Sequence, residues 1–131
     1  MITFPYLRRG KQYFPVVDLT FTSSQSPLTV KALVDSGASF SVFRAEVLEY
    51  LGVSLVKGRP VYLEGIGGRI LGYLHHLPVE VAAKKFSLTV VFSQELAVSF
   101  NLLGRDNFFS QFLVMFNERG RFVRLNEYRR H

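Results

Sequence analysis

Alternation of apolar and polar residues near the start of the chain is the strongest constraint on its fold. In "FPVVDLTFTS", Val17, Leu19 and Phe21 alternate with polar residues. Successive side chains of a β-strand point to opposite faces, so a period of two is typical of a strand with one buried face. Turn-forming residues follow in "SSQSP", and "LTVKALVD" comes next. The pattern predicts a β-hairpin whose second strand ends at Asp35.

The rest of the sequence favours more strands and little helix. Strand-like arms lie on either side of "GIGG", a further strand follows the turn at "AAKK", and the C-terminal region predicts a hairpin with Gly120 in its turn. The segment "FRAEVLEYLGV" predicts a short helix that ends at Gly52, and Asp106 is a candidate N-cap for a second helix through Phe112. We therefore expect a mainly β protein with one or two short helices.

Length and composition predict one globular unit. The 131 residues, of which 48% are hydrophobic, fit a single domain covering 1–131. No apolar run approaches the roughly 20 residues that span a bilayer, and the first charges follow the first apolar residues, unlike a secretory signal. With no cysteine, disulfides and thiol chemistry are excluded. We expect a cytoplasmic protein that does not associate with membranes.

The positive charge leaves two interpretations open. Sixteen Lys and Arg residues against ten Asp and Glu residues give a net charge of +6. The basic residues are scattered or form short clusters, which favours a solvated surface over a polyanion site, and nucleic acid is an unlikely partner. His75 and His76 are adjacent on a predicted strand and point to opposite faces, so we expect no metal site there.

Asp35 is the residue that most requires an explanation. It follows the apolar segment "ALV" and precedes Ser36 and Gly37. An ionised carboxylate at the end of a buried strand is costly unless a partner stabilises it or a reaction uses it. An Asx-type turn that closes the strand is the structural explanation, and a catalytic carboxylate is the functional one.

Three segments, in order, resemble retropepsin-like aspartic proteases. Asp35-Ser36-Gly37-Ala38 resembles the active-site loop of that family, "YLEGIGGRIL" its glycine-rich flap, and "NLLGRDNFF" the segment before its C-terminal helix. Together they cover roughly residues 14 to 113. The resemblance is to single-domain, homodimeric members of bacterial or cellular type. It implies a closed, barrel-like fold and an aspartic endopeptidase that hydrolyses peptide bonds in protein or peptide substrates.

The resemblance also implies which residues form the site. A water activated between two carboxylates attacks the peptide carbonyl, so neither a metal nor a cofactor is required. The predicted catalytic residues are Asp35, Ser36 and Gly37. The predicted substrate-binding residues are Ala38, Phe40, Gly65, Ile66, Gly67 and Gly68.

The sequence contains one such aspartate loop, which makes self-association part of the hypothesis. Asp18 and Asp106 lack the flanking glycine of a second loop. Two identical chains must then meet about a two-fold axis so that each supplies Asp35. The expected partners are a second copy of the chain and a polypeptide substrate.

Departures from the family pattern support an alternative. Viral members carry acidic residues after the loop, where this chain has Ser39 and Phe40, so Arg105 needs another acceptor, such as Asp106, Glu46 or a carbonyl. We expect Arg105 to be a core-facing anchor of the second helix. The alternative function is a catalytically inactive dimer of the same fold that binds peptide or nucleic acid.

Overall fold

The computed structural model describes residues 1–23, 26–65 and 68–128. Within these ranges the chain is mainly β, as the alternating sequence predicts. The first six strands are β1 (Ile2–Pro5), β2 (Leu7–Arg9), β3 (Gln12–Phe14), β4 (Val16–Phe21), β5 (Leu28–Val34) and β6 (Ser41–Arg44). The other six are β7 (Arg59–Gly65), β8 (Gly68–Val81), β9 (Lys84–Ser93), β10 (Asn101–Leu103), β11 (Phe112–Asn117) and β12 (Phe122–Glu127).

The predicted N-terminal hairpin is formed by β4 and β5, which pair in antiparallel register from Val16 with Leu33 to Phe21 with Leu28. Val17, Leu19 and Phe21 are buried while Asp18 is exposed. Lys31 lies opposite Asp18 and donates to its carboxylate at 3.0 Å on the solvent face. The period-two pattern therefore reports correctly which face of the hairpin packs on the core.

Seven strands form the main sheet in the order β4, β5, β10, β6, β9, β8 and β7. The short strand β10 lies between β5 and β6, parallel to β5 and antiparallel to β6. The sheet is not a closed barrel, because β7 remains at an edge and β4 meets β8 through only two described residue pairs, those of Thr20 with Glu80 and Phe21 with Val79. The expectation of a closed barrel is corrected accordingly.

Two smaller sheets complete the architecture. Strands β1, β12 and β11 form a three-stranded antiparallel sheet, in which the predicted C-terminal hairpin supplies β11 and β12. Strands β2 and β3 form a two-stranded ribbon whose turn contains Gly10, at φ 62°, and Lys11. No helix among the described residues has the length and apolar character required to cross a membrane.

The first predicted helix is present and the second is not. Helix α1 (Ala45–Leu51) buries Val47 and Leu48 and ends at Gly52, whose φ of 72° is the left-handed conformation that glycine adopts without strain. A short 3₁₀ helix follows at Leu55–Lys57. Residues 107–111 form turns, and β11 begins at Phe112.

Backbone pairing explains why Asp106 is not a helix cap. Asp106 forms a parallel bridge with Phe40, and its N–H donates to the Ser39 carbonyl at 2.9 Å. The next residue, Asn107, accepts a hydrogen bond from the Thr89 N–H and donates to the Ser87 carbonyl, both at 2.9 Å. These contacts hold Asp106 and Asn107 against the β6 and β9 regions, and turns follow where a helix was expected.

Aromatic side chains fill the core between the sheet and its connections. Phe21, Phe43 and Phe92 are each 0% exposed, and their ring centroids lie 5.8 to 6.3 Å apart. Fully burying a side chain of this size contributes about 1.5–3 kcal/mol. Phe108 and Phe112 form a second buried pair at 5.5 Å. Phe108 and Phe112 are thus core residues, whereas Phe116 in the same phenylalanine-rich stretch is 38% exposed.

Tyr6 gives the fold a specific sensitivity to alkaline pH. Its side chain is 9% exposed and its hydroxyl donates to the Glu118 carboxylate. Burial, followed by this hydrogen bond and the negative charge of Glu118, raises the pKa of Tyr6 to about 12. Because the unfolded phenol ionises near pH 10, the unfolded state loses its proton first, and this contribution to stability is lost as pH rises from 10 to 12.

We therefore expect Tyr6→Phe to flatten the alkaline decline in the free energy of unfolding by about 2 kcal/mol. Denaturant titrations at a series of pH values between about 9 and 12 measure the difference. The matched control is Tyr50→Phe, because the Tyr50 side chain is 75% exposed. Equal pH dependence of the wild type and Tyr6→Phe would contradict the assignment.

Candidate active site

Asp35 begins the loop that joins β5 to β6, and backbone hydrogen bonds hold it on both sides. Its N–H donates to the Leu103 carbonyl in β10 at 2.9 Å. Its own carbonyl accepts the Ala38 N–H at 3.2 Å, which closes a tight turn. The position of the carboxylate is thus set by the main chain of the loop and of β10, not by the packing of its side chain.

Gly37 brings a backbone donor against the carboxylate. Its N–H donates to Asp35 Oδ1 at 2.9 Å. A Cβ atom at this position would lie 3.3 Å from the same oxygen, so glycine permits the close approach. Within the described residues no hydrogen bond reaches Oδ2 of Asp35. One oxygen is therefore anchored while the other is available to water or to a second carboxyl group.

A segment after β10 holds the far side of the loop; we call residues 103–106 the strap. The Arg105 N–H donates to the Ala38 carbonyl at 2.9 Å, and the strap continues to the Asp106 bridge with Phe40. Inside this arrangement the Gly104 N–H donates to Ser41 Oγ at 3.0 Å. Loop and strap therefore form one hydrogen-bonded unit around Asp35.

Ser41 and Gly104 were not among the predicted site residues, although both shape the loop. Ser41 is 0% exposed, and a buried hydroxyl needs a partner. The sequence did contain a signal for Ser41, which is a polar residue between apolar ones in "FSVF". Like Asp35 after its apolar strand, such a residue requires a partner or a role. Gly104 lies in the family-like segment "NLLGRDNFF", but its contacts were not predictable because its partners come from a distant part of the sequence.

The remaining predicted loop residues lie at the surface beside Asp35. Ser36 is exposed, and its hydroxyl forms no hydrogen bond within the parts of the chain that the structure covers. Ala38 is half-buried, and the Phe40 side chain is 41% exposed although its backbone is bridged to Asp106. An exposed aromatic side chain in the loop that begins at Asp35 provides an apolar surface.

The predicted flap is an antiparallel hairpin of β7 and β8. Its last described pair joins Gly65 to Gly68, whose φ is 116°. The predicted tip residues Ile66 and Gly67 lie outside the described residues. Among the residues that are described, no hydrogen bond joins this hairpin to the Asp35 loop, so a role for Gly65 and Gly68 in binding substrate stays a prediction.

One face of the hairpin carries a stacked pair of side chains. Tyr62 and Arg69 lie on this face together with Glu64, and the Arg69 guanidinium lies 4.1 Å from the centre of the Tyr62 ring. The Tyr62 side chain is 60% exposed. Such a stack holds the charge in a defined position while its N–H groups stay free to donate.

Arg105 does not have the predicted structural role. It is exposed, and its guanidinium has no hydrogen bond or ion pair with any described residue. Neither predicted acceptor, Asp106 or Glu46, therefore pairs with the Arg105 guanidinium. The helix that Arg105 was expected to anchor is replaced by turns. Arg105 joins the strap to the Asp35 loop only through its backbone N–H, which donates to the Ala38 carbonyl.

The two adjacent histidines occupy separate environments, as their strand position predicts. His75 is 8% exposed, and its Nε2–H donates to the Leu55 carbonyl at 2.9 Å. His76 is exposed and shares a hydrogen bond with Thr89 Oγ1 at 3.1 Å. Across the described ranges, no group of three or more His, Asp or Glu side chains is placed to hold a metal ion.

Comparison with protein-family models finds a match over a range that contains the Asp35 loop. The model of one protein family, described as aspartyl protease, matches residues 19–106. The match extends from β4 through the strap and includes Asp35 and the hairpin of β7 and β8. A search of curated proteins found no match. Because the family model covers more than half of the chain, this protein belongs to the aspartyl protease family.

Proposed function

We propose that this protein is an aspartic endopeptidase that works as a homodimer, with Asp35 of each subunit forming the catalytic pair. The observation that carries the proposal is the anchored carboxylate of Asp35, held through Oδ1 by the Gly37 N–H in a member of the aspartyl protease family. The whole chain, residues 1–131, acts as one domain. Its lack of cysteine fits a reducing compartment such as the cytoplasm.

The second carboxylate comes from a second copy of the chain. Asp18 is exposed on the outer face of β4 and pairs with Lys31, and Asp106 is held in its bridge with Phe40. Neither has the turn and glycine donor that position Asp35. Two Asp35 side chains that meet at a two-fold axis share one proton, because like charges at short distance do not both ionise readily.

The shared proton sets the order of events. The ionised carboxylate takes a proton from the water between the two Asp35 side chains as this water attacks the peptide carbonyl, and the protonated one donates to the carbonyl oxygen. Proton transfer to the leaving nitrogen then allows the C–N bond to break. Ser36 braces the loop against its counterpart, and Gly37 keeps its hydrogen bond to Oδ1 throughout.

The hairpin of β7 and β8 is the proposed flap. It covers an extended peptide through the backbone groups of Gly65, Ile66, Gly67 and Gly68, and closure excludes water from the reacting atoms. Ala38 and Phe40 line the floor beside Asp35. The exposed ring of Phe40 favours apolar side chains next to the cleaved bond.

A second candidate function is a dimer of this fold that binds peptide or nucleic acid without hydrolysis. The exposed guanidinium of Arg105 favours this second function. Viral members carry acidic residues after the active-site loop that pair with the corresponding arginine, and this chain has none at those positions. A statine-type transition-state mimic separates the two candidates, since only a catalytic dyad binds such a compound far more tightly than the matching substrate.

The dimer hypothesis predicts that specific activity depends on protein concentration. Because a monomer holds half of the catalytic pair, activity per chain should rise with concentration and reach a plateau when association is complete. Initial rates of peptide cleavage, compared with the molecular mass from sedimentation over the same range, measure this. Constant specific activity in a range where the protein is monomeric would refute the shared site.

A further inference from the structure

We propose that the β2–β3 ribbon, residues 7–14, together with Arg121 recognises acidic side chains of the polypeptide substrate. We call this surface the arginine ribbon. The inference rests on the proposed function for the choice of a polypeptide ligand. Its basis is a group of exposed, ordered guanidinium groups without anionic partners, placed next to the strand that leads to Asp35.

The positive charge of this surface is not neutralised within the chain. Its exposed cations are Arg8, Arg9, Lys11 and Arg121, and the exposed Arg119 lies two positions before Arg121. In the ranges that the structure covers, ion pairs within 4.0 Å are formed by Lys31 and Lys84, and none by these five residues. The nearby carboxylate of Glu118 accepts the hydroxyl of Tyr6. Arg8 Nε donates to the Gly10 carbonyl at 2.9 Å and Arg9 donates to Ser99 Oγ at 3.4 Å. These acceptors are neutral, so the guanidinium groups keep their full charge and further N–H donors for an external anion.

Aromatic rings hold the guanidinium groups in place. The Cζ atoms of Arg121 and Arg8 lie 3.7 and 5.9 Å from the centre of the Tyr13 ring. On the other side of the ribbon, Arg9 lies 4.1 Å from the centre of the Phe100 ring. A guanidinium stacked in this way keeps N–H donors along its edge, in the fork geometry that matches a carboxylate.

Two of these charges gain from a shared anion. Since Arg8 and Arg121 contact the same ring, their Cζ atoms are within roughly 10 Å of each other, about the Debye length at 0.1 M ionic strength. They therefore repel each other at low ionic strength. A carboxylate that contacts both guanidinium groups replaces this repulsion with two attractions, and the close contact of Arg121 with the Tyr13 ring reduces the side-chain entropy that binding costs.

The shape of the ribbon favours short acidic side chains over a nucleic acid. Arg8 pairs with Tyr13 in the ladder and Arg9 pairs with Gln12, so the two arginines face opposite sides. Each face then offers few cations. A duplex or a long single strand needs a row of cations along one face to follow its phosphates, whereas one or two carboxylates need only a pair.

The ribbon lies close to the candidate active site through the main chain. Strand β3 continues into Pro15, whose carbonyl accepts the N–H of Val34 at 2.8 Å. Val34 is the residue before Asp35. A peptide extended through the cleft advances about 3.3 Å per residue, so the proposal assigns recognition to side chains several positions from the cleaved bond.

The test compares two peptides that differ only in flanking residues, one with two glutamates and one with two glutamines. We expect the wild type to cleave the acidic peptide with a kcat/KM about fivefold higher at low salt, through KM and not kcat, because exposed ion pairs contribute modestly. Raising the ionic strength should remove the preference. Arg8→Gln with Arg121→Gln should also remove it.

The control variant combines Lys57→Gln with Lys85→Gln, two exposed lysines outside the arginine ribbon, so the change in net charge is the same. It should keep the wild-type preference. Equal loss in both variants would overturn the proposal in favour of a general charge effect. A preference that survives both high salt and the arginine variant would also overturn it.

A binding measurement separates this proposal from the proposed function. Fluorescence anisotropy of the labelled acidic peptide, titrated with Asp35→Asn protein, measures binding to the arginine ribbon even when no peptide is cleaved. Loss of binding in Arg8→Gln/Arg121→Gln supports the proposal, whereas undiminished binding overturns it. Tighter, arginine-dependent binding of a single-stranded oligonucleotide would overturn it in favour of a nucleic-acid surface.

Discussion

Replacement of Asp35 by asparagine is expected to lower kcat/KM for peptide cleavage by at least about 10³-fold while the protein stays folded. Asparagine keeps an oxygen that accepts the Gly37 N–H, so the turn survives, but it cannot exchange a proton with the attacking water. Cleavage of a fluorogenic peptide measures activity, and thermal denaturation confirms the fold. Activity within a few-fold of the wild type would refute Asp35 as the catalytic group.

Asp18→Asn is the matched control, because it removes a carboxylate that is exposed and paired with Lys31 on the outer face of β4. It should leave cleavage unchanged. Mixing extends the test to the second subunit: a large excess of Asp35→Asn protein should suppress wild-type activity, because mixed dimers hold one competent carboxylate. Additive rates in the mixture would contradict a shared catalytic pair.

Gly104→Ala is expected to lower the free energy of unfolding by about 3 kcal/mol and to reduce activity in the molecules that remain folded. A Cβ atom at this position would lie 2.3 Å from the Phe40 carbonyl oxygen and 2.8 Å from that of Ala38. Both are backbone atoms of the Asp35 loop, so no side-chain rotation relieves the clash. The strap must move away, and the hydrogen bond from Arg105 to Ala38 weakens.

Denaturant unfolding measures the stability, and kcat/KM well below the midpoint measures the site. Gly52→Ala is the control: its φ of 72° disfavours alanine, but no atom lies within 4 Å of the added Cβ. We expect it to cost about 1 kcal/mol without a specific loss of activity. Equal effects of the two substitutions on stability and activity would show that the strap does not position the loop.

Local patterns predicted much of the structure because their causes are local. Alternation identified the buried faces of β4 and β5, and Gly52 identified the end of α1 through its left-handed conformation. The turn after Asp35 followed from the short-range preferences of aspartate and glycine. In each case the residues that determine the conformation are neighbours in sequence.

Long-range pairing accounts for what the sequence did not reveal. The insertion of β10 between β5 and β6 depends on residues some 60 positions apart, and no local pattern encodes it. The same pairing overrode the helix-capping preference of Asp106 and left Arg105 exposed. The role of Ser41 was visible only once its partner Gly104 was known. The pairing of two subunits and the closure of the flap remain predictions.

The placement of β10 also has a consequence for biosynthesis. A ribosome completes Asp35 and its glycine long before it reaches Leu103, whose carbonyl orients the aspartate. The aspartate therefore lacks this orienting contact until 68 further residues have been translated. Contacts of such high sequence separation form late and slowly.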